Sequence, residues 1–154
     1  MTTTTTAQLR TIADYQFGAG AGAALFPPGE DRTVRTSSSG RPRQIIAEDG
    51  RLVTFGTDGR FTLGLAGGRR LQSALSAPAY RVVVGDESEP FVRDGKNVFA
   101  KFVQQVDDAV RAGDEVMVEH VDGELIAVGR AELSAGAMRD FETGMAVAVR
   151  EGRE

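Results

Sequence analysis

The sequence has no cysteine and only one histidine, His120. The lack of thiols excludes a disulfide framework and any zinc or iron–sulfur site held by thiolates. A single imidazole excludes a zinc site with several histidine ligands in one chain, and also any mechanism that needs two histidines. An oxygen-ligand site for magnesium or calcium stays open in principle, but no pattern indicates one. We therefore predict neither a metal nor a cofactor.

Long apolar runs and basic leader segments are also missing. No stretch approaches the ~18 apolar residues of a membrane span. The chain starts with a methionine and five threonines, without the basic and apolar regions of a signal peptide. We expect a cytoplasmic protein with no membrane partner. Residues 1–7 are predicted to form a disordered leader, because the threonine run has nothing to bury.

Acidic residues outnumber basic residues, and the net charge is −4. Residues 1–76 carry nine arginines against six acids, a balance of +3, whereas residues 77–154 carry nine basic residues against sixteen acids, a balance of −7. Phosphate binding depends on a local cationic surface, and distant acids weaken it only through a screened field. The composition thus disfavours broad, non-specific nucleic-acid binding and leaves a local site open.

The first half of the chain changes from helical to strand-like periodicity. Apolar residues at helical spacing predict a helix over residues 8–17, and another turn over residues 23–26 before two prolines. Short apolar runs separated by Asp-Gly turns then predict an antiparallel meander. Its strands are predicted at residues 33–35, 44–46, 52–55 and 61–63. A helix over residues 65–75 completes an α+β domain spanning residues 8–77.

The second half, residues 78–152, is dominated by strand-like alternation. Five or six strands and one small helix, capped by Ser134, are predicted in about 75 residues, which is typical of a compact β-barrel. The segment from residue 95 to residue 103 is predicted to begin with a glycine turn and continue as a strand.

Four segments of this half resemble the PUA domain, a pseudo-barrel attached to many RNA-modifying enzymes. They are FVRDGKNVFAKFV at 91–103, RAGDEV at 111–116, LIAVGRA at 125–131 and GMAVAVR at 144–150. The segments follow the order found in the family. The resemblance implies a mostly-β PUA-like pseudo-barrel after the α+β domain.

The first half resembles the small domain that precedes PUA in archaeal tRNA-guanine transglycosylases and archaeosine synthases. The similar segments are ADYQFG at 13–18, GRFTL at 59–63 and AGGRRL at 66–71. The resemblance implies a protein that binds structured RNA, tRNA in particular. It would act as an accessory or split subunit with a tRNA-modifying enzyme. No catalytic residues are predicted, because 154 residues cannot supply these enzymes' barrel of ~250 residues as well.

The glycine loop that precedes Lys101 is the first candidate for RNA binding. Such a loop needs glycine for close approach, free N–H groups towards phosphate, and nearby cations. The loop and its flank supply Arg93, Gly95, Lys96, Asn97, Val98 and Lys101. In PUA domains this loop and the last strand form the RNA groove, so the resemblance adds Gly144, Met145, Ala146 and Arg150. The alternative is an ordinary glycine turn that leads into a core strand.

Arginines of the first half form a second candidate site. On an antiparallel sheet they could line one face and contact phosphates, or they could be solvated charges that block pairing between sheet edges. The secondary candidates are Arg35, Arg41, Arg43, Arg69 and Arg70.

Other motifs favour structural roles. The G-x-G-x-x-A string at 18–23 lacks the βαβ context of a dinucleotide site, so we interpret it as a packing turn. Acidic clusters at 86–89, 107–108 and 114–115 are expected to be solvated, and His120 is expected at a surface or interface. Two alternative functions stay open: a protein-interaction module for a partner enzyme, and, less favoured, a small stand-alone enzyme.

Overall fold

The computed structural model describes residues 5–36, 38 and 42–153. The chain divides into two compact units, with the boundary between Leu75 and Ser76; we call them unit 1 and unit 2. Across the described residues, no helix combines the length and apolarity needed to cross a membrane.

Unit 1 begins with helix α1, Thr6–Phe17. Thr5 and Gln8 form a capping box: the Thr5 hydroxyl accepts from the Gln8 N–H at 3.2 Å, and the Gln8 side chain accepts from the Thr5 N–H at 2.7 Å. The predicted leader therefore overlaps the helix, while residues 1–4 lie outside the described part. The prediction placed the start two residues too late because it did not treat the threonine run as a source of caps.

Helix α2, Ala21–Leu25, packs closely against α1. The Asp14 carboxylate accepts a hydrogen bond from the Gly22 N–H at 2.7 Å. A Cβ at Gly22 would lie 2.3 Å from the carbonyl oxygen of Arg10, so only glycine permits this approach. The glycine string is therefore a packing turn between two helices.

A four-stranded antiparallel sheet follows, in the order β1-β2-β3-β4. Its strands are β1 Thr33–Thr36, β2 Pro42–Ala47, β3 Gly50–Phe55 and β4 Phe61–Leu63. The predicted Asp-Gly turns join the last three strands, with positive φ at Gly50 and Gly59. Phe61 packs edge-on against Phe26, with ring centres 5.8 Å apart, and so joins the sheet to the helical side of the core.

Helix α3, Leu65–Ala74, lies directly on β3. A Cβ at Gly67 would come within 2.0 Å of the Leu52 carbonyl oxygen, and Gly64 is equally tight against Arg51. The glycines of this segment therefore let the helix contact the strand backbone.

Unit 2 is a mostly-β, nearly closed pseudo-barrel with strand order β6-β10-β9-β8-β5-β7. The strands are β5 Arg81–Val84, β6 Val98–Phe99, β7 Val103–Val106, β8 Glu115–His120, β9 Leu125–Ala131 and β10 Met145–Gly152. β5 and β8 are parallel, and the other pairs are antiparallel. Valine dominates the core. The predicted fold class is confirmed.

Two short helices complete unit 2, where the sequence predicts one. The predicted helix is α5, Ala135–Asp140, and the Ser134 hydroxyl caps it by accepting from the Ala137 N–H at 3.2 Å. The other is α4, Glu89–Arg93, with a proline in its first turn. A 3-10 turn, Ala100–Phe102, also interrupts the strand predicted over the segment up to residue 103.

Candidate nucleic-acid interface

The predicted RNA-binding loop is anchored to helix α4. Gly95 adopts a φ of 91° and ends the helix, with its N–H bonded to the Val92 carbonyl at 3.0 Å. The Lys96 N–H bonds to the Phe91 carbonyl at 2.9 Å. These amides are therefore committed to closing the helix. The expectation that these two N–H groups point towards phosphate is wrong, because both donate to carbonyl groups of the helix end.

The loop is also fixed to the last strand, β10. The Asn97 side-chain oxygen accepts from the Val149 N–H at 2.9 Å, and the Ala100 N–H donates to the Gly144 carbonyl at 2.9 Å. Phe99 pairs with Met145 across the strands. The loop and β10 thus form one surface. Val98 and Ala146 are buried in the core beneath it and serve as packing residues.

The two arginines predicted for this surface are both paired with carboxylates. Arg150 makes two hydrogen bonds to Glu115, at 2.6 and 2.9 Å, and Glu115 is only 4% exposed. Arg93 bonds to Glu124 at 2.6 Å and to Glu89 at 2.9 Å, and these bonds raise the pKa of Arg93 above its ordinary value. Both guanidinium groups therefore have their charge balanced within the fold.

The lysines differ from these arginines. Lys96 and Lys101 are exposed, and within residues 5–36, 38 and 42–153 no ion pair involves either of them. The Lys101 ammonium lies 5.0 Å from the centre of the Phe102 ring, a cation–π distance. These side chains are the cations of the predicted loop that are available to a phosphate.

A pocket of about 410 Å³ adjoins the lysines. It is lined by Glu87, Ser88, Phe91, Lys96, Asn97, Phe99 and Phe102, and we call it the aromatic pocket. Phe91 is 61% exposed and Phe99 48% exposed, whereas Phe102 is half-buried. Sequence reasoning missed this pocket. The available signal was that three phenylalanines bracket the only two lysines of the chain.

His120, which was predicted to lie at a surface or an interface, is only 8% exposed and therefore is not an open surface residue. Its Nε2 lies 2.6 Å from Asp86 Oδ1, and its Nδ1 lies 3.1 Å from Asp122 and 3.8 Å from Glu89. The hydrogen bond with Asp86, and then the one with Asp122, raise the pKa of His120 against the effect of burial. The cluster links the turn before α4 to the β8–β9 hairpin, and it also gives Asp86 and Glu89 a structural partner.

The arginines of unit 1 divide into two groups. Arg70 bonds to Glu30 at 2.6 Å, to Asp49 at 2.8 Å and to the Leu25 carbonyl at 2.9 Å, so it fastens α3 to its surroundings. Of the predicted secondary candidates, the exposed ones are Arg35, Arg43 and Arg69. Arg35 is opposite Gln44 in the sheet, and the register skips Arg43 at a bulge. Arg41 lies outside the described residues.

Two family descriptions together span the chain. Residues 7–78 match the patch-forming domain C2 of tRNA-guanine transglycosylase, and residues 80–153 match the PUA domain. The chain is therefore a PUA-domain protein, as the resemblance indicated.

Similar proteins include archaeal enzymes and solved structures. The chain is 45% identical over 146 residues to the tRNA-guanine(15) transglycosylase of Methanothermobacter thermautotrophicus and 46% identical over 145 residues to that of Thermococcus kodakarensis. These matches cover 94% and 93% of this chain but only 22% and 24% of the enzymes.

A solved PUA domain protein from Thermoplasma acidophilum shares the fold, with a TM-score of 0.67, 22% identity and coverage of 96% of this chain and 90% of that one. A hypothetical protein of Pyrococcus horikoshii gives a TM-score of 0.68 at 20% identity, covering 96% and 89%.

Proposed function

We propose that this chain binds structured RNA, with tRNA as its target, through the surface formed by the loop at Lys96 and Lys101 and by β10. It serves as an accessory or split subunit of a tRNA base-modification system. The observation that carries this proposal is a pair of exposed lysines, neither of which forms an ion pair in the described part of the chain, beside a loop that Asn97 fastens to β10.

The contacts follow from the charges of unit 2. Lysine ammonium groups bind phosphate as point charges. Their binding releases counterions condensed on the RNA, so the affinity depends on the salt concentration. The paired Arg93 and Arg150 hold the surface in shape. Because side chains can recognise little of the base sequence in the grooves of A-form RNA, we expect contacts with phosphate, ribose and unpaired bases.

The choice of tRNA rests on the curated relatives. The archaeal enzymes that share about 45% identity with this chain are named for modification of tRNA. The chain spans less than a quarter of their length, and the proposal assigns it the RNA-holding role. The chemistry would belong to a partner enzyme.

Binding of tRNA by the double variant Lys96→Ala/Lys101→Ala, followed across a salt series, tests this proposal. We expect affinity to fall and the slope of log K against log salt to become shallower by about 1.5, because each lost phosphate contact removes roughly 0.7–0.9. Arg111→Ala is the control, since it removes an exposed charge elsewhere in unit 2.

Equal affinity and equal slope for the lysine variant and the wild type would show that this loop is not the site. Absence of tRNA binding by the wild type at every salt concentration would reject the proposed function. The alternative function, a protein-interaction module for a partner enzyme, would then be favoured.

A further inference from the structure

Helix α4 is attached to the hairpin between β8 and β9 at both of its ends. At the C-terminal end, Arg93 bonds to Glu124 at 2.6 Å. At the N-terminal end, the ring of His120 contacts the segment that begins the helix. The proposed RNA-binding loop starts where α4 ends, because the Lys96 N–H closes the last turn of the helix. The two attachments of α4 therefore also position the loop.

The two ring nitrogens of His120 face different groups. Nε2 lies 2.6 Å from Asp86 Oδ1, in the turn before α4, and a neutral ring with its proton on Nε2 keeps this hydrogen bond. Nδ1 then accepts from the Asp122 N–H, which lies 3.3 Å away.

A second proton on the ring changes the contacts of Nδ1. This nitrogen lies 3.1 Å from Asp122 Oδ1 and 3.8 Å from Glu89 Oε2. The lone pair of a neutral ring repels both oxygens, whereas an Nδ1–H group attracts them. The ring therefore links Glu89 of α4 to Asp122 of the hairpin only while it is charged.

The surroundings of His120 favour the charged ring. The carboxylates that face it are Asp86, Glu89 and Asp122. The charged groups next to these are Glu124, Arg93 and Arg153. The hydrogen bond with Asp86, followed by the one with Asp122, raises the pKa of His120 above its ordinary value of 6.5. The charged ring is thus lost only as the pH rises through this higher pKa, and Arg93 keeps its own charge throughout.

Building on the proposed RNA-binding function, we propose that His120 is a positioning residue whose protonation holds the start of α4 and thereby regulates the RNA affinity of the adjoining loop. The charged ring holds the start of the helix against the hairpin. The neutral ring releases Glu89, while Arg93 still holds the other end. The loop at Lys96 is then less ordered, and RNA has to order it at a cost in conformational entropy. Reciprocity requires that bound RNA favour the charged ring by the same factor.

The first measurement is made on the full chain without RNA. Amide hydrogen exchange of Gly95 and Lys96 is followed from mildly acidic to alkaline pH and corrected for the intrinsic effect of pH on exchange. NMR follows the ring in the same samples, since the single histidine of the chain gives one titrating signal. We expect protection of these amides to fall about threefold as the ring loses its proton, which is the size of effect that one partly exposed charge pair supplies.

His120→Asn is the control for this measurement, because its side chain does not titrate and protection should then be constant. If this variant unfolds, Asp122→Asn replaces it. That change removes a charge next to Nδ1 but keeps an oxygen for the Glu124 N–H, which Asp122 Oδ1 accepts at 2.8 Å. The step in protection should then become smaller and move to lower pH. Protection that ignores the state of the ring would overturn the positioning role.

The second measurement is the affinity for tRNA over the same pH range at constant ionic strength. We expect the wild type to bind about threefold more weakly once the ring is neutral, and His120→Asn to show no such step. A step in affinity without a step in protection would show that the charge acts directly on the RNA, and would overturn the proposal. Constant affinity despite a step in protection would overturn the regulation and leave the proposed function standing. Absence of tRNA binding at every pH would overturn the proposed function, while the exchange measurement would still decide the role of His120.

Discussion

Arg150 donates two hydrogen bonds, at 2.6 and 2.9 Å, to the buried carboxylate of Glu115, two strands away in the sheet of unit 2. A buried carboxylate without its partner is costly, because desolvation is then uncompensated. We therefore expect this pair to stabilise the barrel, although the resemblance assigned Arg150 to RNA contact.

The first prediction concerns this pair. Arg150→Ala should lower the free energy of unfolding by about 2 kcal/mol, because it removes two charge-assisted hydrogen bonds to the buried carboxylate of Glu115. Chemical denaturation of the variant measures the change. Lys96→Ala, which removes an exposed cation of the same surface, should stay within about 0.5 kcal/mol of the wild type. An Arg150→Ala variant as stable as Lys96→Ala would contradict the structural role.

Neighbouring arginines of α3 should behave differently from each other. Arg70→Ala removes bonds to Glu30, Asp49 and the Leu25 carbonyl, and should cost about 2 kcal/mol. Arg69→Ala removes only an exposed charge and should change stability by less than about 0.5 kcal/mol. Thermal unfolding of both variants gives the comparison. Equal melting temperatures would show that the Arg70 contacts do not stabilise unit 1.

Stability should depend on pH through His120. Its pKa is raised above the ordinary value of 6.5 by Asp86 first and then by Asp122, with the charge of Glu89 adding to the effect. A raised pKa in the folded state gives stability that is fully present below 6.5 and is lost as the pH rises through the folded pKa. The melting temperature should therefore fall on going from mildly acidic to alkaline pH.

His120→Asn is the control for this pH dependence. The variant should lose the fall in melting temperature above neutral pH. Its behaviour at low pH should still follow Glu124, because the hydrogen bond from Arg93 lowers the pKa of that carboxyl and does not involve His120. Wild-type and variant profiles that run parallel above neutral pH would rule out His120 as the source.

Much of the fold could be predicted from local sequence patterns. The Asp-Gly turns, the strands of unit 1 and the Ser134 cap depend on backbone conformations that a few neighbouring residues determine. Helix α4 was missed because it is only five residues long and contains a proline, so it lacks a helical period. The predicted start of α1 is two residues too late, because a run of threonines is compatible with both a helix cap and a polar leader.

The candidate site could be predicted only in part. The resemblance to PUA domains predicts that the loop lies beside β10. The carboxylates of Glu124 and Glu115, which pair with Arg93 and Arg150, come from a distant turn and a distant strand. Sequence alone does not show which cations are already paired. The aromatic pocket also depends on tertiary structure, since Phe91 and Phe99 converge only after α4 ends at Gly95.

The hydrogen bond from the Val149 N–H to Asn97 has a consequence for the energetics of binding. A loop already tied to a strand and to the end of a helix has little backbone conformational entropy left to lose when a ligand arrives. Its amides should exchange hydrogen slowly before any RNA is added. Association should then proceed without a detectable ordering step, as lock-and-key rather than coupled folding.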